Sequence, residues 1–246
     1  MRSLAGAVAV VFAALTVACS GKSSTSDSAL AIKPQDRAEG PASPAAVATP
    51  TASSPAVPGA RRTILFLGTS LTAGLGLDPD SAYPQLIQRK IDASSLPYQV
   101  VNAGVSGETS AGLLRRLDWV LQRPANVVVV ETGANDGLRG IPIDAVRSSI
   151  AAILAKIRKE RPSATIALVQ MEAPPNFGQQ YTTAFHEMFG SLAKEHHAVL
   201  LPFLLDGVAG FPRLNQADGI HPNPVGERKV ADNVWRGLEP LLTTPR

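Results

Sequence analysis

Asn126-Val127-Val128-Val129-Val130-Glu131-Thr132-Gly133-Ala134-Asn135-Asp136 reads as a strand that empties into a glycine-bounded loop. Four consecutive valines leave no polar face. β-Branched side chains on both faces suit a strand covered on both sides, as in a parallel sheet between helical layers. In such sheets ligands sit beyond the carboxyl ends of the strands, where this loop stands.

Working outward, further apolar runs predict strands at Thr63 to Leu67, Tyr98 to Asn102, Thr165 to Val169 and Ala198 to Leu201. Helical periodicity fills the intervals. The strongest helix runs from Asp144 to Arg161, with Asp144 as its cap, Val146, Ile150, Ile153, Leu154 and Ile157 on one face, and Pro162 ending it. Others are expected over Tyr83 to Ile91, Ser110 to Gln122, Gln180 to Glu195 and Pro224 to Leu241, the last capped by Asn223 with Pro224 in its first turn. Strand and helix in alternation give an α/β fold with a five-stranded parallel sheet. Gly68-Thr69-Ser70, Gly104 and Gly133-Ala134-Asn135 each follow a strand, so all three face one rim.

The first 60 residues have a different character. Residues 1 to 18 carry Arg2, an apolar run from Leu4 to Leu15 and then small residues, the pattern of a secretion signal. Leu15-Thr16-Val17-Ala18-Cys19 resembles a bacterial lipobox, with Thr16 where leucine is usual; an ordinary signal peptide cleaved nearby is the alternative. Cys19 is the sole cysteine, so no intrachain disulfide forms. Residues 19 to 60 are rich in Ser, Ala, Thr and Pro and lack the apolar side chains that would offset ordering entropy. The expectation is export across a bacterial inner membrane, a lipid anchor on Cys19 in the cell envelope, a disordered tether, and a folded domain over residues 61 to 246. Nothing in the sequence demands more than a monomer.

Charge excludes one class. Of 23 basic and 20 acidic residues, 19 and 17 lie beyond residue 60, and no Lys/Arg cluster interleaves with aromatics. A domain so nearly balanced has no electrostatic footprint for nucleic acid.

Ser70 sits where a strand ends in a glycine-flanked turn. A serine hydroxyl is a weak nucleophile without a base in reach, and by itself this turn favours a structural or capping serine; its partners reverse that reading. His221 supplies a base. Asp218, three residues earlier, reaches the same imidazole if Gly219 turns tightly; a surface turn stapled by an Asp–His bond is the bland alternative. Acyl transfer also needs donors aimed at the developing oxyanion. The backbone N–H groups of Ser70 and Gly104 and the side-chain amide of Asn135 are the candidates, with Asp136 bracing the loop. His186, His196 and His197 fall on or beside helix and read as solvated or structural. The sequence has no HExxH motif and no paired cysteine ligands, so no metal site is expected. Neither is a nucleotide loop, in the absence of GxGxxG or a Walker motif.

At these residues the chain resembles the SGNH (GDSL-type) hydrolases, in particular their arylesterase/acyl-thioesterase/lysophospholipase branch. Gly68-Thr69-Ser70-Leu71-Thr72-Ala73-Gly74 looks like the first family block, Asn102 to Thr109 the second, Gly133 to Gly137 the third, and Asp218 to Asn223 the last. The resemblance implies a flavodoxin-like three-layer α/β/α sandwich without cofactor or metal. It also implies a Ser70–His221–Asp218 triad, an oxyanion hole from Ser70, Gly104 and Asn135, and a shallow cleft tolerant of many esters. The family usually has aspartate where this chain has Thr69; that aspartate supports the loop and is not a triad member.

The expected activity is therefore hydrolysis of carboxylic esters, with a small-molecule or lipid ester as partner. Leu138, Ile141, Phe177 and Phe211 are candidates to line an acyl groove, and Pro174 to Tyr181 to form its wall; each reads equally as core or plain loop. A carbohydrate or cell-wall O-acetylesterase is the rival within enzymes, weakened by only 12 scattered aromatic residues. A noncatalytic surface-binding lipoprotein that keeps the fold is the rival outside them.

Overall fold

The computed structural model describes residues 61–244; the signal, lipidation and tether expectations for residues 1 to 60 lie outside them. Five parallel strands form one sheet in the order β2-β1-β3-β4-β5: β1 Arg62–Gly68, β2 Tyr98–Gly104, β3 Val127–Val130, β4 Thr165–Gln170 and β5 Val199–Phe203. Ile64 to Leu67 and Val128 to Val130 are fully buried, as a run without a polar face requires. At the β5 edge, Val199 and Leu200 are exposed instead.

Two helical layers cover the sheet. On one, α2 (Tyr83–Ala93) packs against α7 (Pro224–Thr243). On the other, α3 (Ser110–Val120) packs against α5 (Ile143–Glu160), and α5 against α6 (Gln179–Glu195). A parallel sheet with helices on both faces is the expected α/β/α sandwich. The predicted face of α5 is wholly buried. Its start differs: Pro142 holds the N-cap position and Asp144 makes no capping bond. In the first turn, Asp144 instead complements the positive end of the helix dipole. Asn223 does cap α7, its Oδ1 accepting from the N–H groups of Val225 and Gly226 at 2.9 and 3.1 Å.

Two short helices, α1 (Ser70–Ala73) and α4 (Ala134–Leu138), complete the set, each directly after a strand. One turn is too short to show periodicity. From β1 the chain passes to β2 on one side and then to β3 on the other, so the order switches at β1. The crevice beyond the carboxyl ends of β1 and β3 is where such sheets bind ligands. No helix among the described residues is long and apolar enough to cross a membrane.

Candidate active site

Ser70 opens α1 just beyond the end of β1 and is buried. Thr69, in extended conformation, caps the helix by accepting from the Leu71 N–H at 3.4 Å, and Gly74 ends it at φ +71°.

His221 arrives from the loop before α7. A tight turn delivers it: Gly219 takes φ +72°, a conformation side chains resist, while Asp218 Oδ1 accepts from the backbone N–H groups of Ile220 and His221 at 2.9 and 3.0 Å. Asp218 Oδ2 lies 2.7 Å from His221 Nδ1. The His221 backbone N–H, its ring and the Ile220 N–H together hold the Asp218 carboxyl down at about 2. The ionised carboxylate favours the tautomer protonated at Nδ1, which leaves Nε2 as an acceptor. Nε2 is 2.9 Å from Ser70 Oγ. Gln216 ties this turn down: its backbone N–H donates to the His221 carbonyl at 2.7 Å and its side-chain amide donates to the Leu75 carbonyl at 2.8 Å.

Beside this chain of bonds lies a cavity of about 270 Å³, lined by Ser70, Gly107, Asn135 and His221 together with Leu71, Leu75, Ala134, Leu138 and Ile220. Asn135 enters on α4, whose N-cap Gly133 takes φ +98°. One N–H of its amide donates to the Glu108 carbonyl at 3.0 Å, which fixes the group and leaves the second N–H free of that bond. Asp136 is buried and accepts from the N–H and hydroxyl of Ser110 at 2.8 and 2.6 Å, lashing the loop to the start of α3.

Gly104 has to be corrected. Its N–H donates to Asn102 Oδ1 at 2.9 Å, it remains paired opposite Gly68 within β2, and it does not line the cavity. It is a packing glycine: a Cβ there would lie 2.4 Å from the Ala73 N–H nitrogen. Gly107 is the glycine of this segment that lines the cavity. At φ +76° it turns the backbone toward the cavity, and its N–H meets no protein acceptor among the described residues. Sequence reasoning passed over it, although the Ser106-Gly107 pair beyond a strand is itself a turn signal.

A second, larger and mainly apolar cavity of about 460 Å³ adjoins the first and shares Leu71, Ala134, Leu138 and Ile220 with it. Of the four groove candidates, Leu138 lines both. Ile141 packs against the core and offers its carbonyl to the Tyr181 hydroxyl at 2.8 Å. Phe177 lies over Gly140 and against Tyr181, in a separate depression. Phe211 is exposed beneath the Arg213 guanidinium and lines neither cavity, though its neighbour Gly210 does. In each case the loop turns the side chain away. Pro174 and Pro175 do form part of the second wall, whereas the rest of that loop does not. Among the described residues no group of three or more His, Cys, Asp or Glu is gathered to hold a metal.

Residues 66–229 match the GDSL-like Lipase/Acylhydrolase family.

The chain belongs to that family.

It is 40% identical over 185 residues to the esterase TesA of Pseudomonas aeruginosa, covering 74% of this chain and 90% of that protein. The Escherichia coli protein named thioesterase 1/protease 1/lysophospholipase L1 is 38% identical over 181 residues, 73% of this chain and 85% of the relative. Among solved structures, the Pseudoalteromonas esterase EstA, inhibited by monoethylphosphonate, superposes with a TM-score of 0.70 at 35% identity, covering 74% of this chain and all of that one. This member of the family is an ester-hydrolysing enzyme, and the noncatalytic reading falls.

Proposed function

We propose that the enzyme works through an acyl-enzyme on Ser70, with His221 as base and Asp218 as its orienting carboxylate. The carrying observation is that one imidazole bridges both partners, 2.9 Å to the Ser70 hydroxyl and 2.7 Å to the Asp218 carboxylate. As Ser70 Oγ bonds to the ester carbonyl carbon, its proton passes to Nε2 and the carbonyl oxygen becomes an oxyanion. The N–H groups of Ser70 and Gly107 and the free amide N–H of Asn135 receive that oxygen, a contribution of about 2.7–4 kcal/mol for one such donor. Collapse returns the proton from Nε2 to the departing alcohol or thiol. Water, deprotonated by His221, then attacks the acyl-enzyme and releases the acid.

The acyl portion enters the apolar cavity beyond Leu138 and Ile220, whose lining favours hydrocarbon over sugar. The activity extends to aryl esters, thioesters and lysophospholipids, the activities named for its relatives. The enzyme is a monomer exported to the cell envelope and held there by a lipid on Cys19, as the lipobox-like segment suggests. The test is hydrolysis of a short p-nitrophenyl ester by the protein and by Ser70→Ala. Loss of turnover in the variant is expected, and equal turnover in both contradicts the assignment.

A further inference from the structure

Directly beneath the nucleophile turn lies a carboxylate that the mechanism above does not use. Glu131, the residue after β3, is fully buried. Its Oε2 accepts from the Thr69 N–H at 2.8 Å, the Thr69 hydroxyl at 2.9 Å and the Thr72 hydroxyl at 2.9 Å, and its Oε1 lies 3.1 Å from the Thr69 hydroxyl. The network continues outward, with Thr72 Oγ1 2.7 Å from the Tyr83 hydroxyl. Gly68 makes room for it: a Cβ there would stand 2.7 Å from Glu131 Oε2 and 2.0 Å from Thr72 Oγ1.

We infer that Glu131 is a positioning residue for the reaction at Ser70. It grips the residue before the nucleophile and the residue two after it, and so fixes both the Ser70 hydroxyl and the Ser70 N–H within the turn. The inference rests on the triad reading. A fully buried carboxylate costs stability unless its oxygens are satisfied, and here one carboxylate draws three donors from a single helical turn. Burial pushes the carboxyl up, while the Thr69 N–H and the Thr72 and Thr69 hydroxyls pull it down. The arrangement is polarised: every partner donates, so the site calls for a group that accepts at all of these positions.

Glu131→Gln keeps the size and, with its oxygen at the Oε2 position, still accepts the Thr69 N–H. But it removes the charge that draws three donors to one oxygen, and it turns its NH2 group toward the Thr69 hydroxyl, 3.1 Å from Oε1, which itself donates. The expected result is a fall in kcat of about tenfold or more with KM within roughly twofold, since small displacements of reacting groups cost rate before binding. Phosphonate labelling of Ser70 slows in parallel. Adding Thr69→Asp to Glu131→Gln gives the new amide a carboxylate to donate to, and kcat recovers by at least about threefold over the single variant. Glu227→Gln is the control for a merely structural carboxylate: Glu227 is also buried, accepting from the Tyr83 N–H at 2.7 Å, and its variant changes melting temperature without changing kcat. If Glu131→Gln does not fold, Thr72→Val carries the test, with kcat lowered about threefold or more at unchanged KM.

Turnover that survives Ser70→Ala overturns the triad reading and this inference together. Turnover abolished by Ser70→Ala but unaltered in Glu131→Gln, or in Thr72→Val where that stands in, overturns this inference alone. A double variant no faster than Glu131→Gln also overturns it.

Discussion

His221 Nε2 stands 2.9 Å from Ser70 Oγ although 151 residues separate them in the chain. The strand end at β1 carries one partner and the turn before α7 carries the other, so tertiary packing assembles the pair. Neither loop is chemically competent alone.

Ser70→Ala is expected to lower kcat on a p-nitrophenyl ester by roughly 10⁴-fold or more while the protein stays folded. Asn135→Ala removes one oxyanion donor and costs about 10²–10³-fold in kcat. Steady-state kinetics on both variants, with circular dichroism as the folding control, check these values. Asn135→Ala at full kcat would remove that amide from the oxyanion hole.

The pH dependence has a definite sign. Asp218, held at about 2 by the His221 N–H, the His221 ring and the Ile220 N–H, is a carboxyl depressed below its ordinary 3.8. Its contribution is therefore fully present above about pH 4 and fades only as the pH falls toward 2. Between pH 8 and 5 Asp218 does not change state, so replacing it by Asn should lower kcat/KM by a constant factor across that window, checked by parallel pH profiles of the two proteins. A ratio that varies with pH there would contradict the depressed Asp218 carboxyl.

Glu227 behaves in the opposite sense. Burial pushes its carboxyl up to about 8, against the pull of the Tyr83 N–H. A raised folded value gives stability that is complete below the ordinary 4.5 and lost as the pH rises through about 8. Wild-type melting temperature should thus drop between about pH 5 and 8 and level off above that. Glu227→Gln, which keeps an acceptor for the Tyr83 N–H and has no proton to lose, should flatten that drop by several degrees, at roughly 2–4 °C per kcal/mol for a domain of this size. Parallel melting curves for the two proteins would count against the assignment.

Thr69→Asp sets a second carboxyl against the Glu131 carboxyl, where a donating hydroxyl now lies 2.9 Å from Oε2. Two such groups share one proton, and the raised pair loses stability as the pH climbs. The variant should fold and turn over ester at neutral pH, with a melting temperature that falls further behind wild type at each step from pH 6 to 9. Complete inactivity at neutral pH would show the loop to be misread.

The central strand was legible because burial on both faces leaves a mark in composition: Val127 to Val130 has no polar face, and the α5 face from Val146 to Ile157 repeats at helical spacing. Short range also helped at Asp218 and His221, which one glycine turn brings together. The distinction between Gly104 and Gly107 was not legible. Both lie in one segment, and what separates them is that Gly104 stays in the β2 ladder with its N–H taken by Asn102, while Gly107 leaves it. Ile141, Phe177 and Phe211 failed for a related reason, since proximity in sequence does not say which way a loop aims its side chain. Glu131 reads as a strand terminus, and only the approach of Thr69 and Thr72 from 62 and 59 residues away reveals its partners.

The most direct test is a crystal structure of the enzyme treated with a reactive alkyl phosphonate. The account predicts phosphorus bonded to Ser70 Oγ, with the phosphoryl oxygen within about 3 Å of the Ser70 N–H, the Gly107 N–H and the Asn135 amide nitrogen. Phosphorus on another residue, or a phosphoryl oxygen directed at Gly104 in place of Gly107, would contradict it.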